Sequence, residues 1–77
     1  MRLNESKKRQ IYIVSEIKSD SEEQRNLFYK MGLYPGEKVE VKTWAPISKD
    51  PMLLQLDSGL LALTKSEANC LEVSEAN

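Results

Sequence analysis

The chain has 77 residues, 11 basic and 12 acidic side chains, no histidine and one cysteine. A chain of this length supports one domain and buries only about 60% of the surface its unfolded form exposes. The balanced charge offers no concentrated positive surface for nucleic acid, the lone Cys70 excludes an internal disulfide, and the lack of a leader-like or membrane-length apolar run fits a cytoplasmic protein not inserted in a membrane.

In chain order, residues 1–9 are polar and read as a frayed, solvated end. Ile11, Ile13, Val14 and Ile17 mark a strand from Gln10 to Ile17. Ile11 and Ile13 share one face and Tyr12 and Val14 the other, with Ile17 expected on the core side. A short helix follows. Asp20 or Ser21 can cap it, Glu23 or Gln24 can complete a capping box, and Leu27, Phe28 and Met31 form its apolar stripe. Gly32 can close the helix in the left-handed conformation.

Tyr34-Pro35-Gly36-Glu37 has the residues of a type II turn. Val39 and Val41 then alternate with Lys38, Glu40 and Lys42, and Ala45-Pro46 ends that strand. After a polar turn at residues 48–51, Met52, Leu54 and Leu56 face inward. Asp57-Ser58-Gly59 turns the chain into the next strand, where Leu61 and Leu63 share a face. A helical turn capped by Ser66 is expected over 65–69, then a last strand from Leu71 to Val73 and a flexible tail over 74–77. The class is mainly β: five short strands, closed into a small barrel that hides its edges, with one short helix after the first strand.

Catalytic groups are scarce. The usual serine triads and zinc sites draw on histidine or several cysteines, and the chain has no histidine. Cys70 has no imidazole to activate it and reads as a small core residue. Gly32, Gly36 and Gly59 lie in separate turns, not in a phosphate cradle. The expectation is a binding protein and not an enzyme, with no cofactor and no metal ligands assigned.

Three blocks carry a family resemblance. The first runs from Arg25 to Gly36 and includes Met31-Gly32-Leu33-Tyr34-Pro35-Gly36. The second is Val39-Glu40-Val41, then Ala45-Pro46 and Asp50-Pro51. The third is Leu61-Ala62-Leu63-Thr64-Lys65-Ser66-Glu67-Ala68, then Leu71-Glu72-Val73. In this order and spacing they resemble the ferrous iron transport protein A (FeoA) family. The stretch from Pro46 to Pro51 departs from the family's Pro-x-Gly-Asp-Pro by lacking the glycine and being one residue longer. Thr64 stands where a basic residue is common, and Arg9-Gln10 where a glycine is common before the first strand. The resemblance implies an SH3-like barrel and an accessory role in ferrous iron uptake, through binding to the cytoplasmic region of the FeoB transporter. The alternative is a protein- or peptide-binding SH3-like module unrelated to iron, with self-association open in either case.

Candidate contact residues are apolar groups that the alternation places outside. Trp44 falls in phase with Glu40 and Lys42, and Leu53 and Leu60 are out of phase with their inward neighbours. Large rigid aromatic side chains are favoured at interface centres. Tyr34, Trp44, Pro46 and Leu53 are therefore expected to form a docking patch, with Trp44 dispensable for stability; the alternative is that Trp44 covers an open end of the barrel and its loss destabilises the fold.

Overall fold

Hydrogen bonding between neighbouring strands organises the computed structural model, which describes residues 1–45 and 50–76. The strands are β1 (Ile11–Ile17), β2 (Lys38–Trp44), β3 (Met52–Leu56), β4 (Gly59–Leu63) and β5 (Leu71–Glu75). Helix α1 (Glu22–Met31) follows β1, and the single turn α2 (Lys65–Ala68) precedes β5. The five strands form one antiparallel sheet in the order β4-β3-β2-β1-β5. This is the mainly β, SH3-like arrangement expected. Among the described residues no ladder joins β4 to β5, so the sheet curls without closing.

Local chemistry explains the helix ends. The Ser21 hydroxyl accepts from the Gln24 amide at 3.1 Å, and Glu22 and Glu23 occupy the positive end of the helix dipole. Gly32 closes α1 with φ of 86°, a conformation that costs other residues about 1–2 kcal/mol. The next turn is closed by a 3.1 Å bond from the Glu37 amide to the Tyr34 carbonyl, with Gly36 at φ 97°. At α2 the cap is Thr64 and not Ser66, because the Thr64 hydroxyl accepts from the Glu67 amide while Glu67 bonds back to the Thr64 amide.

The core contains Tyr12, Val14, Phe28, Leu33, Val39, Val41, Met52, Leu54, Leu56, Leu63, Leu71 and Val73, together with Leu3 and Ala68. On β1 the buried face is that of Tyr12 and Val14, whereas Ile11 is exposed. The tyrosine fits there because its hydroxyl accepts from the Lys7 amide at 2.9 Å, so the buried oxygen keeps a partner. A register shift between Val14 and Glu16 then changes the phase, and Ile17 packs on the core after all. On α1, Phe28 is buried and Met31 packs beside it, while Leu27 is 54% exposed.

Both chain ends depart from the expectation of flexible tails. Leu3, in a 3-10 turn over Leu3–Glu5, is fully buried. Its segment is tied to β5 by the Met1 ammonium on Glu72 at 2.7 Å, by Arg2 on Glu72 at 3.1 Å, and by the Val73 amide on the Met1 carbonyl at 2.8 Å. At the other end Ser74 and Glu75 continue β5 opposite Ile13 and Tyr12. A domain this small gains core by recruiting its ends.

Candidate functional site

Of the residues expected to form a docking patch, Tyr34, Trp44 and Leu53 are not brought together on one surface. Tyr34 precedes β2 and Trp44 ends it, so they are separated by about 20 Å of strand at ~3.3 Å per residue. Pro46 lies outside the described residues. Leu53 is at the Trp44 end but points the other way. It pairs with Thr43 and Ala62, both exposed, and so belongs to the outer face. Trp44 pairs with Met52, which is buried, and so faces the core.

The cause is a register shift between Val41 and Thr43. A bulge adds one residue to one strand and reverses the alternation beyond it. Trp44 thereby leaves the phase of Glu40 and Lys42 and packs, partly buried, against the core. The Lys8 ammonium lies 5.4 Å from its ring centre, within cation–π range. Trp44 thus packs over one end of the core.

At the other end of β2 the structure builds an aromatic surface. Tyr34 stacks on Tyr29 of α1, with ring centres 5.6 Å apart and planes 14° from parallel. Tyr29 is 53% exposed and Tyr34 37%. Three local features position them. Phe28 anchors α1 in the core, Gly32 reverses the chain at the helix end, and the Tyr34–Glu37 turn brings the second ring back over the first. Stacking holds each ring in place before any partner arrives, which lowers the ordering cost of binding.

The electrostatics around Tyr34 are acidic. A hydrogen bond to the Glu37 carboxylate, reinforced by that group's charge and by Asp57 on the β3–β4 turn, pushes the phenol above its ordinary pKa. Asp57 also borders a shallow depression with Ile11, Lys38, Glu40 and Gln55, on the outer face. The result is a stacked tyrosine pair with carboxylates at its rim. Such a surface suits a partner that offers an apolar or cationic side chain to the rings and basic groups to the rim.

Sequence reading grouped Tyr34 with Trp44, Pro46 and Leu53, not with Tyr29, whose only local signal was its position next to Phe28 on a one-striped helix. Cys70 is half-buried, with its Sγ 3.6 Å from the Ser66 carbonyl oxygen and 3.7 Å from Gln24 Oε1. Among the described residues no group of three or more Cys, Asp or Glu side chains is placed to hold a metal ion, and no helix is long and apolar enough to cross a membrane.

Comparison with known proteins agrees with this architecture. The family model of the FeoA domain matches residues 1–75. A FeoA-like protein of Clostridium acetobutylicum superposes with a TM-score of 0.88 at 30% identity, covering 100% of this chain and 87% of that one. FeoA of Chlorobium tepidum gives a TM-score of 0.85 at 26% identity, over 100% of this chain and 71% of its own. FeoA of Stenotrophomonas maltophilia, a prokaryotic SH3 domain protein whose structure is a zinc complex, gives 0.82 at 24% identity. It covers 96% of this chain and 89% of its own, and at that identity the match supports the fold alone. No curated protein sequence matches the chain.

Proposed function

Because the chain belongs to the FeoA domain family, which is tied to ferrous iron transport, we propose that it is a cytoplasmic accessory protein that binds the cytoplasmic region of a FeoB-type transporter. The match of the family model over residues 1–75 carries this reading. The surface is consistent with it. The stacked Tyr29–Tyr34 pair is a preformed aromatic contact, and Glu37 and Asp57 give it a polar rim. Trp44 supports the core beneath the opposite end and takes no direct part.

The protein acts by binding, not by catalysis. Docking shifts the transporter between conformations only to the extent that the domain binds one of them more tightly. Rigid aromatic contact supplies affinity, and the acidic rim supplies orientation and partner choice. Iron is the transporter's cargo in this scheme and is not bound by the domain.

The test is uptake of radiolabelled Fe(II) by iron-starved cells. Removing this chain changes the initial rate of uptake, and re-expressing the wild-type chain restores it. An unchanged rate in the deletion strain contradicts the reading and leaves a protein-binding module unconnected with iron.

A further inference from the structure

The two edges of the sheet are treated differently. Along β5 the N-terminal segment occupies the outer side, through the reciprocal bonds between Met1 and Val73 and the Arg2–Glu72 bridge. Along β4 no segment among the described residues does so. Its sequence Gly59-Leu60-Leu61-Ala62-Leu63 has no charge and no proline, the usual protections of an exposed edge.

The backbone polarity of that edge follows from the hairpin. Leu56 and Gly59 close a two-residue turn, which makes them a hydrogen-bonded pair. Alternation along the ladder then directs the amides and carbonyls of Leu60 and Ala62 away from β3. Their side chains lie on the outer face, where Leu60 is 62% exposed.

We infer that β4 is a self-association edge, on which a second copy of this chain adds its own β4 antiparallel about a two-fold axis at Leu61. The occupant is set by charge and register together. In this register residue 61 + k of one copy faces 61 − k of the other. Leu60 faces Ala62, and these two outward-pointing residues exchange both backbone bonds, giving four bonds across the axis. Leu61 meets its own copy on the inner face, where each is only half-buried in the single chain.

Beyond the strand ends the same register brings the Asp57 end of each β4 beside the Lys65 end of the other, twice by symmetry. Neither side chain takes part in an ion pair among the described residues. Moving the axis to Ala62 would set Asp57 against Glu67, and moving it to Leu60 would leave both charges without an opposite. Only the Leu61 axis is self-complementary in hydrogen bonds, apolar contact and charge, as an isologous interface requires. The two five-stranded sheets become one continuous sheet.

Sedimentation equilibrium of the full chain from about 10 μM to 1 mM tests this. The wild type is expected to pass from monomer to dimer across that range. Ala62→Pro, which removes an outward-facing donor without disturbing the β3 ladder, is expected to stay monomeric with an unchanged circular dichroism spectrum. Should that variant not fold, Leu60→Lys, on an exposed side chain, makes the same test. Asp57→Lys and Lys65→Asp are each expected to raise the dimer dissociation constant about tenfold, and the double variant to restore it. A wild type that is monomeric throughout overturns the inference, as does a dimer indifferent to both edge variants. Failure of the double charge reversal to rescue overturns the Leu61 register.

Discussion

Tyr34 shows how one side chain acquires a role from its neighbours. Its phenol donates to Glu37, and Asp57 adds negative charge nearby, so the neutral form is favoured. The folded pKa therefore lies above the unfolded one. The linked stabilisation is present below the ordinary tyrosine range and is lost as pH rises through the raised value. Phenolate absorbance, read as the difference between wild type and Tyr34→Phe, is expected to titrate above pH 10. In a Glu37→Gln background it is expected to return toward the ordinary value, and an unshifted midpoint there would remove Glu37 as the cause. Tyr34 was readable from sequence as a turn residue with an exposed ring. Its stacking partner was not, because ring stacking across the Gly32 reversal depends on the angle between helix and turn, which no spacing in the chain encodes.

At the scale of elements, most boundaries were readable because each has a local chemical cause. Ser21, Gly32 and the Pro35-Gly36 turn act over four or five residues, and the hairpin at Asp57-Ser58 needs only the two short apolar runs beside it. What was not readable was phase. Two bulges, between Val14 and Glu16 and between Val41 and Thr43, each reverse which side chains face the core. A bulge answers the curvature of the whole sheet, so strict alternation from either strand's start carries forward to the wrong face. Trp44 is the consequence. Of its two readings, docking group outside or cover over an open end of the barrel, the packing on the core fits the second. Full removal of a buried aromatic costs about 3–5 kcal/mol, and for a half-buried ring Trp44→Ala is expected to cost about 2 kcal/mol in urea unfolding. A loss below about 0.5 kcal/mol, within the range of surface substitutions, would return Trp44 to the outside.

For the molecule as a whole, the resemblance read in three sequence blocks is met by a family match that spans nearly the entire chain. The ends were missed because their contacts are the longest-range in the fold. Glu72 receives both the Met1 ammonium and Arg2, and the ammonium's hydrogen bond is the main reason its carboxyl is held below the usual range. No local pattern in residues 1–9 announces that pairing. The recruitment of the N-terminus protects one sheet edge, leaves β4 as the other, and leaves the tyrosine pair beside the β3–β4 turn as the separate surface for a different protein. The measurement that tests the central claim most directly is a titration of this chain against the purified cytoplasmic region of its cell's FeoB-type transporter, with and without guanine nucleotide. Saturable binding is expected for the wild type and for Trp44→Ala, weakened at least tenfold in the Tyr29→Ala/Tyr34→Ala double variant. Binding that survives loss of both tyrosines and vanishes in a folded Trp44→Ala variant would contradict the account and move the contact to the opposite end of the sheet.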